Sequence, residues 1–307
     1  MSPVHQDHSA DAAVAAMSAV HDSVPVSPDG TPEGFRVGRT LPVRVELSRQ
    51  LRRKRTQFAL GFMALLPLIL VISFAFGTNN GARGAVSLVD LATSGAINFA
   101  MVSLFFSASF LLIVVISLFY GDTIASEASW SSLRYLLAMP IPRVRLIRQK
   151  VLVAGLLSVI ALLILPITAL LIGGIAYGWN PLSTPVGEQF TVGQGLIRLA
   201  LIVAYVAVQL TWVAGLALLL SVSTDAPLGA VGGAVLISIL SQILNQIDAL
   251  GDLRNYLPTH YSFAWTGALV DPIRWDDMIR GGFISLAYAV VLTALAVLRF
   301  RRKDITS

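Results

Sequence analysis

The chain has 307 residues, 55% of them hydrophobic and 13% charged, with a mean hydropathy of +0.75 and a formal net charge of +5. A soluble domain carries about 25% charged residues, so this composition is that of a polytopic membrane protein and leaves no room for a large soluble domain beside the spans. The lack of cysteine excludes disulfides, thiolate metal sites and cysteine nucleophiles.

Residues 1–35 hold five acids, Asp7, Asp11, Asp22, Asp29 and Glu33, and no Lys or Arg. They are rich in Ala, Ser, Pro, Asp and His and lack apolar periodicity, which predicts a disordered cytoplasmic tail. No positive segment leads into an apolar core here, so a cleaved signal peptide is not expected. His5, Asp7, His8 and Asp11 sit in this tail with nothing to preorganise them, and no metal site is expected.

Residues 36–57 reverse the charge. Val43, Leu47 and Leu51 lie four apart, while Arg44, Arg49, Arg52, Arg53, Lys54 and Arg55 fill most other faces. This pattern predicts an amphipathic helix on the inner membrane surface, with a plain basic flank as the alternative. Six apolar runs follow, near 58–76, 97–119, 151–177, 197–221, 227–247 and 282–298. Each is long enough for a hydrocarbon core of about 30 Å. Pro67 and Pro166 fall inside spans, where kinks are tolerated. Gly229 and Gly233 form a small-xxx-small pair for close helix contact, within the chain or between subunits.

The stretch 121–150 interrupts the apolar pattern. Asp122 and Glu127 come first, and Arg134, Arg143, Arg145, Arg148 and Lys150 follow. Trp130, Leu133, Tyr135 and Leu137 recur near helical spacing, and Pro140 and Pro142 end the pattern. The prediction is a short cytoplasmic helix over 126–137, a proline break and a basic ramp into the third span. The alternative is a basic loop that only fixes topology.

Lys and Arg set the orientation. Seventeen of the 22 fall in the flank before the first span, the stretch 121–150 and the tail after residue 298. With six spans these segments share one side, which is cytoplasmic. Both termini are then inside and 248–281 is outside. That external loop holds Tyr256, Tyr261, Phe263, Trp265 and Trp275, a mix suited to short helices at the outer interface. In the fifth run, Ser238, Ser241, Gln242, Asn245 and Gln246 fall within one arc of roughly 140°. Two readings stay open: interhelical hydrogen bonding, or the lining of a cargo pathway.

Some chemistry is missing. The dipeptide Gly-Lys is absent, so there is no P-loop for ATP. No H-E-x-x-H or G-x-S-x-G occurs, and His260 is the single histidine after the N-terminal tail region, in the external loop. The spans carry almost no Asp, Glu or His for an ion-coupled relay. Active transport would then be driven from outside the membrane.

Glu127, Leu133 six positions on, the pair Leu136-Leu137, Pro140, Arg143 and Lys150 resemble the first cytoplasmic loop of the ATP-binding-cassette (ABC) type-2 permeases. That family's pattern runs Glu-x-x-x-Gly-Thr-Leu, a Leu-Leu pair, Pro-x-x-Arg and a closing Lys; here Ser131 and Ser132 replace the Gly and Thr. The run from Phe300 to Ile305 is similar to the family's tail. The resemblance implies an all-α membrane protein with six transmembrane helices and both termini cytoplasmic. It makes 36–57 an elbow helix, 126–137 a coupling helix between spans two and three, and 248–281 re-entrant-type helices. The permease domain is 58–299 and the basic tail 300–307.

The function implied is the permease subunit of an ABC transporter, an exporter of a small molecule, drug or lipid-like cargo across a prokaryotic cytoplasmic membrane. The implied partners are ABC ATPase subunits, which carry the ATP and Mg, and a second permease subunit. No cofactor on this chain and no nucleic acid are implied. By resemblance Glu127, Trp130, Leu133, Arg134, Leu137 and Arg143 couple to the ATPase. An inorganic ion or cofactor as cargo stays open, as does a membrane scaffold without transport.

Overall fold

A chain this apolar must satisfy its backbone polar groups within each segment, which helices do. The computed structural model describes residues 43–76, 88–129, 143–185 and 187–302. In order these form α1 (Val43–Leu51), α2 (Lys54–Phe76), α3 (Leu88–Thr93), α4 (Ala96–Ala108), α5 (Leu111–Ser129) and α6 (Arg143–Tyr177). A small antiparallel hairpin follows, β1 (Leu182–Ser183) with β2 (Gln189–Phe190). Then come α7 (Val192–Gln209), α8 (Thr211–Ser223), α9 (Pro227–Asn245), two 3-10 helices (Asp248–Tyr256 and Ala264–Leu269) and α10 (Asp276–Arg302). Five described helices are long and apolar enough to cross a membrane, with α7 and α8 counted as one; α4 and α5 make a sixth if that bent pair is a single span. All six predicted runs fall on these elements.

The second run is where the structure departs most from the sequence reading. Instead of one span over 97–119, α4 and α5 meet at an angle of 58°. The physical reason lies in their hydroxyls and one amide. Ser103 and Ser107 donate from Oγ to the carbonyls four residues back, Phe99 and Ser103, which loosens a helix. At the break, Gln242 of α9 donates from Nε2 to the Ser109 carbonyl at 2.7 Å. An exposed carbonyl at membrane depth is thereby satisfied. Beyond the break, α5 does not stop at residue 119 but runs to Ser129. Asp122 and Glu127 therefore belong to the last turns of α5, and Glu127 does not open a separate helix beginning at Ser126.

Two further bounds shift. α6 begins at Arg143, so the basic ramp is helical; its 35 residues span about 52 Å, well beyond a core of about 30 Å. α10 runs on to Arg302 with Phe300 buried, so the first residues assigned to the tail are helix. The helices α2 and α6 continue through Pro67 and Pro166.

Packing centres on α4, α5 and α8. α4 is apolar all round and eleven of its thirteen residues are buried, as such a helix requires. It packs on α6, which also carries α2. α8 packs on α5, α9 and α10. Gly121 of α5 permits the crossing with α9: a Cβ there would lie 2.9 Å from Val231 Cγ2 and 3.2 Å from its backbone nitrogen. Ser221 of α8 accepts from the backbone N–H of Ile124 and Ala125, both at 3.1 Å. Gly233 meets Leu220 of α8, so one of the paired glycines serves packing within the chain. At the opposite end, buried Arg198 donates from Nη1 to the carbonyls of Ala268 and Val270, the latter at 3.0 Å, and lies 3.8 Å over the Phe190 ring. It pins the segment after the second 3-10 helix to α7.

Gly121→Leu is expected to force α9 off α5 and to cost on the order of 1–3 kcal/mol. Thermal unfolding of the detergent-solubilised protein reads this directly. A Leu variant as stable as the parent would show that the two helices do not cross at this point.

Candidate functional site

Three helix ends meet on the basic side of the molecule. In α1 the spacing of Glu46, Arg49 and Gln50 puts all three on one face, and Glu46 and Gln50 are buried. Val43, Leu47 and Leu51 pack against the core beside them, whereas their four-residue spacing predicts a face laid on the membrane surface. Arg53 and Arg55 follow at the entry to α2. The last turns of α5 bring Asp122, Ser126 and Glu127, and the first turns of α6 bring Lys150.

These groups form an ion-pair lattice. Glu127 is 4% exposed. Its Oε1 accepts from Lys150 Nζ at 2.5 Å and from Arg49 Nη2 at 2.7 Å. Lys150, also buried, reaches Glu46 Oε1 at 3.5 Å. Arg49 closes the square at 2.8 Å from Glu46 Oε2. Beside it, Asp122 accepts from Arg53 at 2.8 Å and from Arg55 at 3.0 Å. Burial pushes the Glu46 carboxyl up, but the Lys150 charge, the Arg49 hydrogen bond and charge, and the Gln50 amide outweigh it and hold the group below the usual carboxylate value. The lattice borders an open cleft of about 760 Å³, lined by Arg49, Arg53, Lys54, Arg55, Asp122, Ser126 and Glu127.

Glu127 lies near the end of α5, before 130–142, and Lys150 in the first turns of α6, after Arg143, Arg145 and Arg148. The residues Trp130, Leu133, Arg134 and Leu137, which the resemblance assigns to ATPase coupling, lie outside the described residues. Arg143 is the first residue of α6. Of the residues so assigned, Glu127 has its carboxylate engaged inside the chain, with Arg49 and Lys150. It closes the C-terminal end of α5 rather than opening a loop helix. Glu46, Arg53 and Arg55 carry no sequence signal as site residues. The single hint is that Glu46 is the one acid among the basic residues of 36–57.

The fifth-run stripe is drawn together at the other end. Ser238 donates to the Ala234 carbonyl of its own helix. Ser241 and Thr259 share a hydrogen bond at 2.7 Å, and Asn245 Oδ1 lies 2.6 Å from His260 Nδ1. With Gln242 at the α4–α5 break, three of the five side chains bond to other parts of the same chain. Gln246 is exposed. From α7, Gln209 donates to the Pro258 carbonyl at 3.0 Å and Tyr205 to the Tyr261 carbonyl at 2.6 Å. The stripe thus ties α9 to the broken span and to the segment 258–262. Among the described residues no group of three or more His, Asp or Glu is arranged to hold a metal.

The family described as ABC-2 family transporter protein matches residues 43–225, more than half of the chain. No curated protein matches it. The matched range contains every member of the ion-pair lattice.

Removing one partner of a buried ion pair leaves the other charge uncompensated and costs about 3–5 kcal/mol. Lys150→Met is expected to lose stability in that range, and adding Glu127→Gln is expected to recover part of the loss. A double-mutant cycle on thermal unfolding checks this. Strict additivity of the two changes would refute a direct Lys150–Glu127 interaction.

Proposed function

The chain belongs to the ABC-2 family of transporter proteins and is a membrane permease subunit, and from this premise we propose that it exports a small-molecule, drug or lipid-like cargo on energy from separate ATPase subunits. ATP and Mg would be held by those subunits, and this chain would bind none. A second permease subunit, identical or related, completes the pathway across a prokaryotic cytoplasmic membrane. The segment 126–137 is the docking element, with Glu127, Trp130, Leu133, Arg134, Leu137 and Arg143 as its coupling residues. The polar stripe of α9, with Gln246 exposed, lies beside the route of the cargo.

The observation that supports this reading is the lattice flanking 130–142. Glu127 holds the end of α5 to Lys150 of α6, and Arg49 and Glu46 hold both to α1. A push on 130–142 from below would move α1, α5 and α6 as one body rather than bend a loop. Closure of two ATPases would pass to the spans as a rigid-body switch. The short paths through charged, closely spaced contacts make α1 part of the lever.

Reconstitution with the ATPase subunits in liposomes tests the coupling. Arg49→Gln cuts one link between α1 and α5 while Lys150 stays on Glu127. The variant is expected to insert and to assemble but to lose most of the permease-dependent ATPase stimulation. Leu133→Asp is expected to weaken assembly itself. Full stimulation in both variants would defeat the proposed route.

The orientation is tested separately, in a chain with no native cysteine. Asp252→Cys, exposed after α9, is expected to react with an impermeant thiol reagent in intact cells, whereas Ser48→Cys on α1 is expected to react only after lysis. The opposite pattern would invert the topology.

A further inference from the structure

A second cleft, apart from the ion-pair lattice, opens between the basic-side ends of α8 and α10. Its volume is about 720 Å³. On α10 it is lined by Leu295, Leu298, Arg299 and Arg302. These are spaced i, i+3, i+4 and i+7 and share one face of the helix. The two leucines come first along the helix and the two arginines last, over about 10 Å. On α8 and the turn after it the wall is Leu219, Val222, Ser223 and Asp225. The floor is therefore hydrocarbon on both sides and the rim is polar.

The charge of the rim is the informative part. Arg299 and Arg302 form no ion pair with a described residue, whereas Arg49, Arg53, Arg55, Arg198 and Arg254 all do. Two guanidinium groups face one carboxylate, so the rim is net positive. Leu295 and Leu298 below them are 46% and 50% exposed, so the cleft opens sideways. A hydrated free anion gains nothing from such a floor, which offers no donors and would strip its water. A molecule with an anionic head and apolar tails matches both halves.

We propose that this cleft binds an anionic glycerophospholipid of the inner leaflet, with its phosphate on Arg299 and Arg302 and an acyl chain along Leu219, Val222, Leu295 and Leu298. The proposal rests on the orientation given above, with the basic helix ends in the cytoplasm. A single guanidinium can hold a phosphate by two parallel hydrogen bonds, which a point charge does not offer. The bound lipid would not be cargo. It would sit against the turn between α8 and α9 and brace the tightly packed α8–α10 pair.

Native mass spectrometry of the full chain, titrated with phosphatidylglycerol in detergent, tests the site. The parent is expected to retain one phosphatidylglycerol more tightly than the rest, and Arg299→Gln/Arg302→Gln is expected to bind that one at least about tenfold more weakly. Arg44→Gln/Arg52→Gln, exposed on α1 and just after it, is expected to leave it in place. Phosphatidylcholine is expected not to substitute, and inorganic phosphate not to compete. Unchanged binding in the Arg299/Arg302 variant would overturn the proposal, as would equal retention of phosphatidylcholine. Full competition by phosphate would instead mark an anion site without a lipid and would overturn it too. None of these readouts requires the ATPase, so failure here is distinct from failure of the transport reading. The thiol-labelling experiment alone decides the leaflet.

Discussion

A buried carboxylate in a membrane protein requires a cation at contact distance, because water is not there to solvate it. Glu127 meets that requirement with Lys150 at 2.5 Å and Arg49 at 2.7 Å. The arrangement at the basic end follows from it. α5 must run past the hydrocarbon to bring Glu127 to Lys150. α6 must begin early enough to present Lys150, and α1 must lie across both to supply Arg49 and Glu46. The surplus of basic residues at this end provides the counterions that make the buried acids tolerable.

The opposite end is held by hydrogen bonds more than by ion pairs. The ion pairs there are the exposed Arg254–Asp248 at 2.8 Å and Arg198–Asp271 at 3.7 Å, and the close partners of Arg198 are carbonyls. Amides and hydroxyls on α7 and α9 bind the carbonyls and side chains of 258–262. Gln242 extends the same set inward to the break in the second span. A helix bent by 58° at membrane depth needs a donor for its freed carbonyl, and α9 supplies it. The break therefore depends on its neighbour, and a movement of α9 would change the cost of keeping it.

Under the proposed function the two ends divide the work. The charged end joins three helices into one body. The opposite end ties α7, α9 and the segment between α9 and α10 through hydrogen bonds. Next to the charged end α5, α8 and α9 cross closely, where Gly121 and Ser221 leave little room for independent motion. A phospholipid at the α8–α10 cleft would add support on the face that the lattice does not reach.

The sequence by itself determined the class of the protein. Apolar runs of sufficient length, the one-sided distribution of Lys and Arg, and the missing ATP-binding motif follow from composition and order along the chain. The helical spacing of Val43, Leu47 and Leu51 was legible too, but not that this face packs on the core. The family was legible as well, from the motif around Glu127. Tertiary structure alone decided which charges meet. Arg49 and Glu127 are 78 positions apart and Lys150 and Glu46 are 104 apart, and no local periodicity connects them. It also decided that Asp122 and Glu127 continue the helix of the second run instead of Glu127 opening a separate one, because pairing with α1 makes the extra helical turns tolerable there. The bend in the second span belongs to the same category. Serines can loosen a helix anywhere, but only Gln242, reaching in from α9, fixes where it breaks.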